Sequence, residues 1–498
     1  MVPETPNPRT LQSQIKKLLA YPLTQLGMSE RFISEHGADV HYCEAWKSWL
    51  VWDGARWELD TTSAINRRLH TTIRALGSQA QRLYREVLRS IADEDVKAGM
   101  TKTIREVIYH ARHSEEQNQI TAILAIATTL AGVPITPAGM DARPMLLNCR
   151  NGVVDLATGE LVPHADRRVR EWLLTKMAPV EYDPRAGCPR WMQFLDEVFA
   201  GDATKISYMQ KSIGYTLTGA VTEKAMFFFH GGGNNGKTTL LEIIRSVFGD
   251  YAGTIDIDTL MKDRTDDYSL RMIATMHGKR LVTASEASEN SRLNEALIKR
   301  LTGMNQLVGR PIYGKSFTFE PEFKLYIDAN HRPTIRGTDD AIWIRMRLIP
   351  FDVQFSKDQI DKDLWRKLRA ELPGILAWAV AGCLAWQRDG LETPASITKA
   401  VASYRSEQDL VGEFLADRTD PDPIAIIPAK DLYTDFRTWC TDAGERDIPK
   451  QRWFTDRVQE RYKMDHKRDG NCFLGMRLRS KIATAEWYTT AVPAEDIQ

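Results

Sequence analysis

Residues 226–248 read MFFFHGGGNNGKTTLLEIIRSVF, and three features of that stretch decide the fold. Met226 to Phe229 is a short, wholly apolar run, as a strand buried on both faces requires. Lys237 to Phe248 has apolar residues at helical spacing. Between them, HGGGNNGKTT from His230 to Thr239 satisfies the GxxxxGK[ST] pattern as Gly231, Gly236, Lys237 and Thr238. Strand, glycine-rich loop and helix in that order point backbone N–H groups at an anion, and the helix dipole favours negative charge there. Gly231, Gly232, Gly233, Asn234, Asn235 and Gly236 wrap the phosphates closely because glycine has no Cβ to clash. Lys237 is expected to reach the β- and γ-phosphates, Thr238 to ligate Mg²⁺, and Thr239 to complete the nucleotide-binding turn. The cofactors expected are therefore ATP and Mg²⁺.

Working outward, further strand-like runs occur at Arg280 to Thr283, Phe323 to Asp328 and Ile344 to Pro350, which predicts an α/β sheet with helices on its faces. The run RLVTA ends at Ser285-Glu286. Glu286 is the candidate to activate the attacking water beside the metal, with Glu289 as its competitor. In FKLYIDANHRP, Asn330 stands at the end of the next apolar strand, where its amide can hold a water or the γ-phosphate. Asn at a strand end is also a good turn former. Asp256-Ile257-Asp258 is a lone DxD and reads as structural.

Upstream, YCEAWKSWLVWDGARWELD predicts a hairpin about Trp52-Asp53-Gly54 whose aromatics line a half-buried sheet face. Thr62 to about Gly132 is helical, with Arg67, Arg68 and Arg82 on a solvated face. NGVVDLATGELVPH from Asn151 predicts a second hairpin, and helix follows the turn cluster 183–189 up to about Thr218. Downstream, helix resumes from Gln359, and TDPDP at 419–423 reads as a linker. Ala429 to Ala443 and Lys450 to Tyr462 read as helices before a hairpin at Asp469-Gly470-Asn471, the outline of a winged helix-turn-helix.

Composition bounds the partners. The chain has 498 residues, and its 66 basic and 66 acidic residues cancel, with 43% hydrophobic and 27% charged. That is ordinary globular composition, so any nucleic-acid surface is local. One such patch is 450–481, with ten Lys or Arg against four acids. Arg452, Arg457 and Arg461 fall at recognition-helix spacing, and Lys467 and Arg468 flank the turn. The six cysteines form no CxxC pair, which excludes a zinc ribbon and fits a reducing, cytoplasmic setting. No apolar run reaches the roughly 20 residues of a membrane span, and MVPETPNPRT has no apolar core of a secretory signal.

Taken together, GGGNNGKTT, GKRLVTASE, IKRLTGMNQLVGRPIYGKSFTFEPEFKLYIDANHRP and DDAIWIRMRLIPF resemble the superfamily 3 helicases. They are most similar to the phage and plasmid primase-helicase family, which is related to the poxvirus primase-helicases. Roughly residues 30 to 415 share the resemblance. It implies an α/β fold: a P-loop, AAA+-like superfamily 3 ATPase core with a mostly helical N-terminal region and a C-terminal winged helix. The expected boundaries are an N-terminal hairpin and helical domain at 1–145, a helical collar at 146–217 and the ATPase core at 218–352. A helical extension at 353–418, the winged helix at 419–482 and a tail at 483–498 follow.

The resemblance also implies roles. Catalytic residues are Lys237, Glu286, Asn330 and an arginine supplied by the neighbouring subunit of a homo-hexameric ring. Arg345 matches that arginine, since the family often reads WRR where this chain has Trp343-Ile344-Arg345, and Arg347 is the reserve. Thr238 and Glu286 serve the metal, although Ser285 stands where related ATPases often carry a second acid. A hairpin before the Asn330 strand would grip single-stranded DNA through Lys315, with Arg310 and Tyr313 beside it. The expected activity is ATP-dependent unwinding of single-stranded and forked DNA, 3′ to 5′, during replication of a phage, plasmid or mobile element in a bacterial cytoplasm. A separate primase or polymerase is a candidate partner, because no cluster of metal-binding acids marks a primase-polymerase domain. The alternative is a DNA-binding replication initiator whose ATPase controls assembly. A packaging ATPase is a third class, against which the hairpin argues.

Overall fold

The computed structural model describes residues 8–262, 266–285, 292–311, 314–335, 340–443, 448–467 and 470–479. At its centre lies a parallel five-stranded sheet built from β1 (Met226–His230), β2 (Ala252–Asp256), β3 (Leu281–Ser285), β4 (Lys324–Ala329) and β5 (Met346–Pro350). Across the sheet the order is β5, β1, β4, β3, β2. All four pairings are parallel. Every strand therefore ends on the same edge, and the loops that follow converge there. Met226, Phe227, Phe228 and Phe229 are fully buried, because β1 has a strand on each side and helices on both faces. That is why it reads as an unbroken apolar run.

Two details depart from the sequence reading. β2 carries no apolar run and lies unannounced at one edge. Ile344 and Arg345 belong not to β5 but to the short helix Asp340–Arg345 that precedes it.

The N-terminal region is helical around one small sheet. Helices Ala64–Ser90 and Glu94–His113 bury Leu69, Ile73, Leu76, Ala80 and Leu83 against Ile104, Val107 and Ala111. The Asp93 carboxylate caps the second helix by accepting from Asp95 N and Val96 N. The predicted hairpin pairs Trp52 with Trp57, and both rings are buried, as an inward sheet face requires. Arg68 corrects the solvated-face reading: it donates to Asp39 O at 2.8 Å and Trp52 O at 3.3 Å, tying the helix to that sheet. Arg67 and Arg82 are exposed. The hairpin Gly152–Asp155 and Glu160–Val162 forms with Leu146–Cys149 as a third strand.

Helices Pro189–Phe199, Ala203–Leu217 and Leu372–Asp389 back the sheet and share its larger core. No single helix among the described residues is long and apolar enough to cross a membrane.

In the C-terminal module, helices Ala429–Asp442 and Gln451–Gln459 pack on a three-stranded antiparallel sheet ordered Thr419–Pro428, Gly470–Leu478, Met464–Lys467. TDPDP is thus the start of a strand, not a linker. Thr419 pairs with Leu478 and Pro421 with Met476 before an irregularity that lasts to Ile426. Prolines lack a ladder donor but are tolerated on an edge strand and at a bulge, and this strand is both. The preceding helix Leu410–Arg418 joins the same core, where Phe414 meets Phe436 and Phe454 edge-on.

Candidate nucleotide site

The chain leaves β1 at His230, loops through Gly231–Gly236 and enters helix Lys237–Phe248. Two glycines fix the loop. At Gly231 a Cβ would fall 2.3 Å from Phe351 O, and at Gly236, whose φ is +86°, it would fall 2.6 Å from Val198 Cγ1. A side chain at either position would push the loop off the sheet edge. The loop is also tied to the segment that follows β5. Phe355 N donates to Asn234 O at 2.8 Å, and Asn235 Nδ2 donates to Phe351 O at 3.3 Å.

Lys237 is only 3% exposed. Its ammonium donates to Gly231 O at 2.7 Å, Asn235 Oδ1 at 3.1 Å and Asn330 Oδ1 at 3.1 Å. Burial lowers its pKa from the usual lysine value, and the Asp328 carboxylate, 3.9 Å away, opposes that shift. Thr238 Oγ1 donates to Asp328 Oδ2 at 2.9 Å. Asp328 and Asn330 are two residues apart at the end of β4, so both point to the side on which the Lys237 helix begins. Gly233 to Thr239 together with Asp328, Ala329 and Asn330 line a cavity of 270 Å³.

A phosphate group fits these residues. The buried ammonium now rests on neutral loop oxygens, which an anion would replace with a stronger charged partner. Thr238 and Asp328 offer a hydroxyl and a carboxylate side by side, the hard oxygen donors that Mg²⁺ takes.

The structure thus brings together Lys237, Thr238, Thr239, Asn330 and the glycine-rich loop. It adds Asp328, which the sequence reading missed. The available signal was a carboxylate inside an otherwise apolar strand, two residues before Asn330. Glu286 and Glu289 lie outside the described residues. Ser285 does not replace the acid that related ATPases carry, but its β-ladder partner on β4 is Asp328. Asp256 accepts from Asp258 N at 3.0 Å and from the Tyr268 hydroxyl at 3.1 Å, so that carboxylate organises a turn.

Arg345 does not line the cavity of its own chain. Its Nη1 donates to Ala341 O at 2.8 Å within its own helix. Arg347, on edge strand β5, donates to Ile344 O and Met346 O.

The expected hairpin is present as Leu307–Gly309 paired antiparallel with Phe317–Phe319. Lys315 is exposed in its connecting segment. Arg310 is held by Asp267 at 2.5 Å, and Tyr313 lies outside the described residues. In the C-terminal module Arg452 and Lys467 are exposed. Arg457 instead lies over the Trp453 ring, 5.2 Å from its centroid, and 3.5 Å from Glu460, while Arg461 pairs with Asp409. These two are engaged within the chain, a correction to their reading as free phosphate contacts. Arg468 lies outside the described residues.

Comparison with known proteins agrees with the order of these parts. Residues 29–200 match the family model described as D5 N terminal like, and residues 229–345 match a family of unknown function (DUF5906). "Putative helicase 022R" of frog virus 3 is 28% identical over 270 residues, covering 50% of this chain and 28% of that protein. "Putative helicase L207/L206" of Acanthamoeba polyphaga mimivirus is 23% identical over 480 residues, covering 90% of this chain and 50% of its own length. "Primase D5" of fowlpox virus is 29% identical over 230 residues, covering 43% of this chain and 28% of its own length. The chain thus spans half or less of the length of these relatives. With the D5 N-terminal-like region followed in order by the glycine-rich loop and the Asn330 strand, the chain belongs to the D5-type primase-helicase family.

Proposed function

We propose that the chain is an ATP-dependent DNA helicase of superfamily 3 type that works as a homo-hexameric ring in replication of a phage, plasmid or other mobile element. The observation that carries this reading is the buried Lys237 ammonium at the mouth of the glycine-rich loop, within 3.1 Å of Asn330, beside the Thr238–Asp328 hydrogen bond.

Lys237 and the loop N–H groups hold the phosphates, and Asn330 leaves Lys237 to orient the γ-phosphate or the attacking water. Thr238 and Asp328 would hold Mg²⁺, which neutralises charge on the transferring phosphoryl group. Glu286 is the proposed base. Arg345 reaches the site of the neighbouring subunit, so hydrolysis depends on assembly. Lys315 grips single-stranded DNA in the ring channel, and the C-terminal module acts as a winged helix through Arg452 and Lys467.

A forked duplex with one labelled strand, incubated with protein, ATP and Mg²⁺, tests the proposal. Strand release by the wild type and none by Lys237→Ala is the expected result. DNA-stimulated ATP hydrolysis without any strand release would favour the initiator reading, and no hydrolysis under any condition would refute both.

A further inference from the structure

Beside the phosphate cavity lies a second one of 360 Å³, and the two share Asn234, Gly236 and Thr239. Past those shared residues the wall changes character. Phe194 forms part of it from helix Pro189–Phe199, and Phe355, Ile360, Leu364 and Trp365 form the rest from the segment after β5. Phe194 is buried, but Ile360 and Trp365 are 47% and 40% exposed, open for apolar side chains of their size. The Arg369 guanidinium lies over the Trp365 ring, 5.8 Å from its centroid.

Polar groups are few. Arg190 Nη2 donates to Glu197 Oε2 at 3.2 Å, and the buried Arg190 Nη1 has no hydrogen-bond partner among the described residues. An apolar, aromatic wall with a small number of hydrogen-bonding groups is the composition of a small-molecule site.

The order of residues gives the site its orientation. Lys237 and Thr238 face Asp328 and Asn330 at one end. Thr239, one residue further along the helix, opens into both cavities. In loops of this pattern the lysine reaches the outer phosphates while backbone N–H groups cradle the inner ones. The phosphate chain therefore runs from the Asn330 end toward Thr239, and whatever is attached to its inner end emerges into the apolar cavity.

We infer that this second cavity binds the nucleoside half of a nucleoside triphosphate, with the base against Trp365 and the Arg190–Glu197 pair at its polar wall. The inference rests on the phosphate reading above and adds which residues tell a nucleotide from a bare polyphosphate. The tether from Phe355 N to Asn234 O holds the two halves of the site at a fixed separation, so base and phosphates are bound by one preorganised unit.

Isothermal titration of the full chain in Mg²⁺ buffer with ATP and with inorganic tripolyphosphate tests it. Wild type is expected to bind ATP more tightly than tripolyphosphate. Trp365→Ala should weaken ATP by about tenfold or more, the loss typical of one stacking partner, and leave tripolyphosphate unchanged. Trp365→Phe should recover most of the ATP affinity, and Ile360→Ser should repeat the selective loss should Trp365→Ala not fold.

Trp365→Ala binding ATP like the wild type, or losing both ligands equally, would overturn the nucleoside site. Lys237→Ala separates the two levels of the argument, because it should lose both ligands. Were it to bind both normally, the phosphate reading itself would fall.

Discussion

Asp328 Oδ2 accepts a hydrogen bond from Thr238 Oγ1 at 2.9 Å, joining the end of β4 to the first turn of the helix after the glycine-rich loop. Asp328 is 7% exposed, and its neighbour across the β3–β4 ladder is Ser285, a residue that cannot supply charge. The carboxylate that tunes Thr238 thus comes from the strand beside the one on which the sequence suggested it. Asp328→Asn keeps the shape and removes the charge. The Mg²⁺ concentration that half-saturates ATP binding should rise about tenfold, the equivalent of roughly 1.5 kcal/mol for a hydrogen bond to a charged group. Titration of Mg²⁺ against a fluorescent ATP analogue reads this directly, and an unchanged midpoint would exclude Asp328 from the metal's surroundings.

Lys237 makes a pH prediction with a definite sign. Burial lowers its pKa in the free protein, and a bound phosphate chain would raise it. Above neutrality, as pH passes through the lowered free-state value, the free protein loses the proton while the complex keeps it. Nucleotide binding should then take up protons, and affinity should fall as pH rises through that window. His230 is also lowered by burial, then by Arg332 and Lys237, so its contribution belongs below neutrality. Calorimetry in buffers of different ionisation enthalpy should show alkaline proton uptake in the wild type and none in Lys237→Met.

Much of this site is legible in the amino-acid order, for physical reasons that differ by element. Met226 to Phe229 is apolar throughout because β1 is flanked by β4 and β5, and the loop glycines follow from contacts at Gly231 and Gly236 that no Cβ survives. Asp328 was hidden because one carboxylate within FKLYIDA leaves no periodic trace. The strand at Ala252–Asp256 escaped because AGTID holds a glycine and a threonine where an apolar run was sought. TDPDP misled because proline marks linkers and edge strands alike. Only the partner Gly470–Leu478, some fifty residues later in the chain, decides between them.

Arg345 outside its own cavity leads to a mixing experiment. Arg345→Ala and Lys237→Ala proteins should each be inactive as ATPases. Mixed rings should recover part of the rate wherever an intact loop meets an intact arginine from the next subunit. Steady-state phosphate release against mixing ratio checks this. A flat line in rings shown to be mixed would remove Arg345 from the site.

Lys315 is exposed in the hairpin and stands apart from the cavity. Lys315→Ala should keep basal ATP hydrolysis within about twofold while unwinding falls. The slope of log affinity for single-stranded DNA against log salt should shrink by about 0.7, the value for one lost phosphate contact. A solvated lysine would leave the slope untouched.

The C-terminal module separates free from engaged arginines, and the difference can be measured. Arg452 and Lys467 are exposed, whereas Arg457 packs on Trp453 and Arg461 pairs with Asp409 on the approach to helix Leu410–Arg418. Arg452→Ala with Lys467→Ala should lower the salt slope of duplex binding by about two and leave the melting temperature unchanged. Arg457→Ala should instead lower the melting temperature by a few degrees through lost packing, with little effect on the slope. Deleting the module tests its contribution as a whole, but the cut belongs before Leu410. Phe414 packs on Phe436 and Phe454, so a cut after Arg418 would uncover it at a cost comparable to Phe414→Ala, roughly 3–5 kcal/mol. Equal salt slopes for the Arg452/Lys467 double variant and the wild type would leave the module as a protein-binding unit.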